Sequence, residues 1–191
     1  MALLPGDNRN FDLRREFMAR ADAAPTQVTS IFNGAFMDMV GAEMPLIRRR
    51  LRCVLYWRSA DQLLDFTTKD NVAAYTAAAA MDNTTPRILR VAGDSVSSRD
   101  IATVMTEITG KQYGLLWAGT IGMLGVMIGA AKLVAPQPTA VFPPWQGMQY
   151  MRDMFSGRAK LEPLENNRYS SIGWTTMREL LAGRAVSATA T

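Results

Sequence analysis

The chain has 191 residues and a net charge of +4, with 48% hydrophobic and 20% charged residues; these values are typical of one folded domain and exclude a disordered or collagen-like chain. It contains no histidine and a single cysteine, Cys53. These counts exclude nucleophile systems that need histidine, zinc sites built on histidine or several cysteines, and disulfides within the chain. We therefore expect no metal site, and a single cysteine fits the reducing cytoplasm.

The first part of the chain alternates between helical and extended patterns. Residues 11–23 repeat apolar side chains four positions apart, which predicts a helix that Asn10 caps. Residues 26–32 are β-branched and apolar and predict a short buried strand, which the turn signal Asn33-Gly34 ends. Residues 51–57 point alternately to two faces and predict a second strand.

Two further helices begin at clear capping sequences. Thr67-Thr68-Lys69-Asp70 precedes an alanine-rich segment over 71–81, and Ser97-Ser98-Arg99-Asp100 precedes an apolar stripe that Gly110 closes. Other segments predict a strand over 87–91 and short helices over 145–155 and 175–181. Because helices and strands alternate, the sequence predicts an α/β fold.

Residues 112–131 carry no charge, and Lys111 and Lys132 bracket them. The length matches a membrane-spanning helix, but five glycines dilute the hydrophobicity, and residues 113–117 have the pattern of a strand. We expect a buried or surface helix here, with a membrane-associated segment over 113–131 as the alternative.

Positive charge is concentrated in a run of arginines over 48–52. Such a run indicates either a phosphate-binding surface or a solvated turn that leads into a strand. No nucleic-acid motif accompanies it. We expect the solvated turn, and no nucleic-acid partner.

The order of several segments is similar to the C-terminal part of NmrA-like proteins, an atypical group of short-chain dehydrogenases/reductases that includes isoflavone reductase-like enzymes. The resemblance rests on Phe11-Asp-Leu-Arg14-Arg15-Glu-Phe17, on Val28 to Asp38 with Asn33-Gly34-Ala-Phe36, on Leu64-Asp65-Phe66-Thr67-Thr68-Lys69-Asp70, and on Leu89 to Asp94 followed by Ser97 to Gly110. It covers residues 5–182.

The resemblance implies the C-terminal part of a Rossmann-like NAD(P)-binding fold over 1–182, with a small, mostly helical substrate-side subdomain over 36–65 and 111–170 and a disordered tail over 183–191. In the family, NAD or NADP binds to a glycine-rich turn after the first strand. No such turn follows any strand predicted here. The resemblance thus implies that the sequence starts beyond that half and that these 191 residues alone bind dinucleotide poorly.

Arg14 stands where the resemblance places the family's lysine, a catalytic base or a ligand of the cofactor ribose. An arginine keeps the charge and can bind phosphate or ribose, but a guanidinium stays protonated and does not act as a base at neutral pH. The alternative is an exposed helix arginine that pairs with Asp12 or Glu16.

The resemblance implies a cofactor-binding segment and a substrate pocket. Asn33, Gly34 and Phe36 would border the nicotinamide, because a glycine there lets the main chain approach a flat ring closely. The expected pocket residues are Met37, Trp145, Met148 and Tyr150. The alternative for Phe36, Met37, Trp145 and Met148 is that they belong to the hydrophobic core.

The function implied by the resemblance is that of an NAD(P)H-dependent oxidoreductase acting on a small molecule, or of a redox-sensing regulator. The alternative is a non-catalytic interaction module, because half of a parallel sheet exposes an edge and an apolar face that favour pairing with a second copy.

Overall fold

The computed structural model describes residues 8–41, 44–137, 140 and 143–189. The helices are α1 (Arg9–Asp22), α2 (Lys69–Ala80), α3 (Ser98–Thr109), α4 (Ile121–Val134), α5 (Pro144–Phe155) and α6 (Met177–Thr189). The strands are β1 (Ser30–Asn33), β2 (Ala35–Phe36), β3 (Ile47–Arg48), β4 (Cys53–Tyr56), β5 (Leu64–Thr67), β6 (Ile88–Val91), β7 (Asp94–Val96) and β8 (Gly114–Trp117). Three 3₁₀ turns complete the chain: Met37–Met39, Arg49–Leu51 and Asn166–Arg168.

The described strands form three small sheets, with orders β1-β6, β2-β5-β7 and β3-β4-β8. Strands β1 and β6 are parallel, as are β2 and β5, and β4 and β8. The pairs β3-β4 and β5-β7 are antiparallel. Helices and parallel strands alternate, and the predicted α/β class is confirmed.

The chain passes from one sheet to the next at Gly34. Strand β1 pairs with β6 as far as Asn33, opposite Val91, and β2 then pairs with β5, with Ala35 opposite Phe66. Gly34 is buried between these pairs, and its N–H donates to the carbonyl of Val91 at 3.0 Å. The Asn33-Gly34 pair therefore joins two strands rather than forming the turn that the sequence predicted.

Local capping signals predict the helix starts well, with one shift of position. The Ser97 and Asp100 side chains form the expected capping box of α3, which ends at Gly110 in the left-handed conformation. Thr68 caps α2. Helix α1 begins two residues earlier than expected, because the side chain of Asn8, rather than that of Asn10, accepts the first-turn N–H.

The uncharged segment forms strand β8 and helix α4, as the preferred interpretation predicted. Leu124 and Ile128 of α4 are buried in the main hydrophobic cluster. Among the residues that the structure describes, no helix is long and apolar enough to cross a membrane. Residues 113–131 thus belong to a strand and a separate helix, and membrane association of this segment stays a prediction.

The last helix extends further than the sequence predicts. Residues 183–189, expected to belong to a disordered tail, continue α6, and residues 190–191 lie outside the described residues. The Arg184 side chain donates to the carbonyls of Val40 at 2.7 Å and of Asp38 at 2.5 Å. These contacts to a distant segment anchor the C-terminal half of the helix.

A cluster around Asp82 ties the turn after residue 165 to the end of α2. The carboxylate accepts hydrogen bonds from the Thr84 hydroxyl at 2.6 Å and the Thr84 N–H at 2.8 Å. It also accepts from Arg168 Nη2 at 2.7 Å and from the Tyr169 hydroxyl at 2.9 Å. These donors, the Thr84 hydroxyl first, hold the pKa of Asp82 well below its usual range.

This cluster predicts a pH-dependent stability. A carboxylate whose pKa is lower in the folded than in the unfolded chain stabilises the fold above its unfolded pKa of about 3.9, and the stabilisation is lost as the pH falls below that value. We expect Asp82→Asn to lower the midpoint of thermal unfolding at neutral pH, with the difference from the unmodified chain shrinking below about pH 4. Glu16→Gln, on the exposed side of α1, is the matched control. An Asp82→Asn deficit that stays constant down to pH 2 would contradict this role.

Candidate functional site

The N-terminal turn of α1 meets α5 through Phe11 and Tyr150. Their rings pack edge to face, with centroids 5.1 Å apart. The side-chain amide of Asn10 donates to the Tyr150 hydroxyl at 3.2 Å. The Arg14 guanidinium lies 6.0 Å from the centroid of the Phe11 ring. The structure therefore brings the predicted residues Arg14 and Tyr150 to the same place, on either side of Phe11.

Arg14 is exposed, and it forms an ion pair with neither Asp12 nor Glu16. The neighbouring residue, Arg15, makes the ion pair with Asp12. Arg14 instead contacts the Phe11 ring, and its guanidinium remains accessible to solvent. An exposed, permanently charged guanidinium suits the binding of an anion rather than the removal of a proton.

A buried carboxylate on α5 fixes this helix to α1. Asp153 is 1% exposed, and one of its oxygens accepts from the Asn8 side-chain amide at 3.0 Å. The Arg152 guanidinium donates to the other oxygen at 3.2 Å. Because a buried carboxylate needs such donors, this arrangement orients α5, and Tyr150 with it.

The strand residues of the predicted cofactor segment lie where β1 ends. The parallel strands β1 and β6 end side by side at Asn33 and Val91. The Asn33 side-chain amide donates to the carbonyl of Gly34 at 2.7 Å. Phe36 is half-buried in β2. In open α/β sheets, ligands bind beyond the carboxyl ends of parallel strands, which is the position of this segment.

Gly34 has a packing role that the sequence did not indicate. A Cβ atom at this position would lie 2.7 Å from the backbone of Asp65 and Phe66 in β5. Glycine is therefore required here because the backbone of β5 lies so close to it. A role of this backbone beside a nicotinamide stays a prediction.

Three of the predicted pocket residues pack in the interior. Met37 is fully buried in the main hydrophobic cluster, and Met148 packs against it. Trp145 is 6% exposed, its indole N–H donates to the carbonyl of Pro136 at 3.1 Å, and Lys132 lies over its ring at 5.0 Å. These positions agree with the alternative that they form core. No hydrogen bond, ion pair or ring contact joins Arg14 to Asn33, Gly34 or Phe36, all of which the structure describes.

Sequence reasoning missed a polar cluster at the junction of the two central sheets. Asp65 lies in β5 with only 3% of its side chain exposed, and it accepts hydrogen bonds from Lys160 Nζ and the Ser95 hydroxyl. Its second oxygen accepts from the N–H of Leu161 at 2.7 Å. The only signal in the sequence is a carboxylate between two apolar residues of a buried strand. The cluster holds the segment after α5 against β5, and thereby fixes the far end of the helix that carries Tyr150.

Two shallow grooves are open to solvent, with volumes of about 330 and 280 Å³. The first lies beside α1 at Asp22 and Arg87, and the second lies between β7, α3 and α6 at Asp94 and Met177. Neither is lined by a predicted site residue. Within the described ranges, no three acidic or thiol side chains are grouped as a metal site requires.

No protein-family model matches this sequence, and no curated protein matches it in sequence. Solved structures do match in fold. Leucoanthocyanidin reductase from Vitis vinifera, in a ternary complex, superposes with a TM-score of 0.76 over 97% of this chain at 10% identity. An isoflavone reductase superposes with a TM-score of 0.68 over 96% at 15% identity. A nucleoside-diphosphate-sugar epimerase from Staphylococcus aureus gives 0.67 over 94% at 13% identity.

The chain spans about three-fifths of the length of these proteins: 64% of the leucoanthocyanidin reductase and 61% of the isoflavone reductase and the epimerase. The matched proteins are two reductases and a nucleoside-diphosphate-sugar epimerase. At these identities the similarity establishes the fold. The predicted Rossmann-like α/β architecture is confirmed as the one that these reductases share.

Proposed function

We propose that this chain forms the C-terminal portion of an NmrA-like NAD(P)-binding protein, which works as an NAD(P)H-dependent oxidoreductase or as a redox-sensing regulator in the cytoplasm. The observation that carries the proposal is the match of nearly the whole chain to reductase structures. Two of these were solved with the cofactor: leucoanthocyanidin reductase with NADPH, matching 97% of this chain, and a reductase with NADP⁺ and pinoresinol, matching 94%.

The described residues fit one end of a dinucleotide and not the other. A pyrophosphate needs free backbone N–H groups at a helix N-terminus after a glycine-rich turn. Three described helices follow strands directly, and in each a hydroxyl already accepts a first-turn N–H: Thr68 at 3.1 Å in α2, Ser97 at 3.2 Å in α3 and Thr120 at 3.1 Å in α4. None of these three helices follows a glycine-rich turn, so we expect the described part of this chain to hold a pyrophosphate poorly.

The nicotinamide end has a candidate position at Asn33, Gly34 and Phe36. This segment lies at the carboxyl ends of β1 and β6, the position at which open α/β sheets bind their ligands. When bound, a reduced nicotinamide supplies a hydride. The exposed Arg14 guanidinium would contribute charge for a phosphate or ribose, and substrate would enter from the side of Tyr150.

The cofactor proposal is tested by titrating the isotopically labelled chain with NADPH and following its backbone amide signals by NMR. We expect weak, roughly millimolar binding that shifts the signals of Asn33, Gly34 and Phe36, because only the nicotinamide end has a site. Nicotinamide mononucleotide should shift the same signals, whereas AMP, the matched control, should not.

Two results would contradict this assignment. Micromolar binding of NADPH would show that the chain holds a pyrophosphate after all. Unchanged signals at all three residues, at concentrations well above the millimolar range, would remove the nicotinamide position.

A second candidate function is that of an interaction module, and the free edge of β1 favours it. Among the described residues, β1 pairs on one side only, with β6. Helix α1, which precedes it, leaves Leu13 52% and Phe17 65% exposed. A strand with one unpaired edge, preceded by a helix with exposed apolar side chains, offers a surface on which a further strand or a second copy can dock.

Light scattering on the purified chain tests this candidate. If the β1 edge and α1 bind a second copy, the chain is a dimer, and Phe17→Glu shifts it to monomer without changing its circular dichroism. A stable monomer at all concentrations tested would argue against the interaction module.

A further inference from the structure

The charges of this chain are segregated in space. Residues 44–60 and 108–152 contain eight of its 21 Lys and Arg residues and none of its 17 Asp and Glu residues. In the structure the described residues of these two segments form one unit, because β4, which pairs with β3 within the first segment, also pairs with β8 of the second. Helix α4 follows β8 directly. We call this unit, with its cationic and uncharged surface, the acid-free lobe.

An apolar strip runs along the outer face of the acid-free lobe. On α4, the opposite side from the buried Leu124 and Ile128 carries side chains that are between 49% and 87% exposed. The strip consists of Met123, Val126, Met127, Leu133 and Val134 of α4, and Trp117 is exposed at the end of the preceding strand. Apolar residues of this size are exposed here at helical spacing, which is unusual for the free surface of a monomer.

Exposed cations flank both ends of β8, the strand that leads into this helix. The carbonyl of Arg52 accepts from the N–H of Gly114 at 2.9 Å, which places the arginine run at the first residue of β8. The N–H of Arg58 donates to the carbonyl of Gly119 at 3.2 Å, in the loop between β8 and α4. Lys111 is exposed just before β8.

The arginines of the run are not used within the fold. Arg48, Arg49, Arg50 and Arg52 are all exposed, and none makes an ion pair with a carboxylate among the described residues. Charges that the fold does not pair are available to an external anion.

We propose that the acid-free lobe is a docking surface for an anionic lipid bilayer. The apolar strip lies in the boundary between headgroups and acyl chains, with its helix parallel to the surface, as interfacial amphipathic helices do. The flanking arginines and lysine contact anionic headgroups, and Trp117 lies at the interface that tryptophan side chains favour. The binding is peripheral, since α4 has only 14 residues and a span needs about 20.

The charge distribution favours a bilayer over a second copy of the chain. Two copies docked through this strip would face each other with exposed cations on both sides and no carboxylate in the lobe to pair with them. Such like-charge contacts oppose association. A bilayer that contains anionic lipid supplies the missing negative charge.

A nucleic acid fits the strip less well than a bilayer. The basic run would attract phosphates, but single strands bind by stacking bases on aromatic side chains. All five members of the strip are aliphatic or methionine, and Trp117 in the preceding strand is a single aromatic side chain. Aliphatic side chains gain by leaving water for hydrocarbon.

The test measures sedimentation of the full 191-residue chain with phosphatidylcholine vesicles, with and without phosphatidylserine. We expect binding to the vesicles that contain phosphatidylserine, a much smaller fraction bound to pure phosphatidylcholine, and release on raising the salt concentration. The double variant Arg49→Glu/Arg50→Glu should lower the partition coefficient by more than tenfold, because each surface cation contributes about fivefold. Arg20→Glu, an exposed arginine of α1 outside the lobe, is the matched control and should bind nearly as the unmodified chain does.

The apolar half of the proposal is tested with Val126→Glu and Leu133→Glu. These side chains are 74% and 84% exposed, so the substitutions leave the fold intact, as circular dichroism will check. Each should reduce vesicle binding by at least tenfold. Met81→Glu, at a position 85% exposed and outside the lobe, is the control and should bind like the unmodified chain.

Three results would overturn the proposal. The first is no binding of the unmodified chain to phosphatidylserine vesicles at low salt. The second is equal loss of binding in Val126→Glu and Met81→Glu. The third is a dimer in light scattering that Val126→Glu dissociates, which would assign the strip to a second copy.

Discussion

The close approach of Gly34 to the backbone of β5 is the constraint on which the arrangement of this fold depends. One continuous extended segment leaves the β1–β6 pair and enters the β2–β5–β7 sheet at this residue. Only a hydrogen atom fits on the Cα of Gly34, because a Cβ would lie 2.7 Å from three backbone atoms of β5. The two sheets are therefore held edge to edge by backbone alone, and every group that flanks the crossing takes its position from it.

The candidate site and the polar cluster lie on either side of this crossing. Asn33 precedes Gly34 along the chain, and Phe36 follows it. The backbone of Asp65 contacts Gly34, and the Asp65 carboxylate binds Lys160 and the N–H of Leu161. Helix α5 is thereby fixed at two points, through Asp153 to α1 and through the segment after it to Asp65. The position of Tyr150 thus follows from backbone packing and two buried carboxylates, without a metal or a disulfide among these contacts.

Local signals in the sequence predict much of the helical structure and less of the sheets. The capping box at Ser97 and the stop at Gly110 give the bounds of α3 because each involves residues within one turn. Strands β2 and β3 have two residues each, and only their distant partners define them. The extension of α6 depends on contacts between Arg184 and carbonyls more than 140 positions away, which no local pattern contains.

The candidate site is predictable in part, for a chemical reason. Arg14 and Tyr150 both contact the Phe11 ring, a packing that no local pattern in the sequence indicates, and their roles in a site stay predictions. Met37 and Trp145 are apolar, and an apolar side chain suits a pocket wall and a hydrophobic core equally well. Only the burial seen in the structure distinguishes these two interpretations. The acid-free lobe was visible in the sequence as an arginine run and an uncharged segment, but their adjacency arises from the pairing of β4 with β8.

The central claim, that Gly34 is required by the crossing of two sheets rather than by a turn, is tested by chemical denaturation of Gly34→Ala beside Gly129→Ala. Gly129 lies in the middle of α4 with open space around its Cβ position. We expect Gly34→Ala to lose about 2 kcal/mol or more of unfolding free energy, because the strands must move apart. Gly129→Ala should gain roughly 0.5–1 kcal/mol from the better helix propensity of alanine. A Gly34→Ala chain as stable as the unmodified one would contradict the crossing.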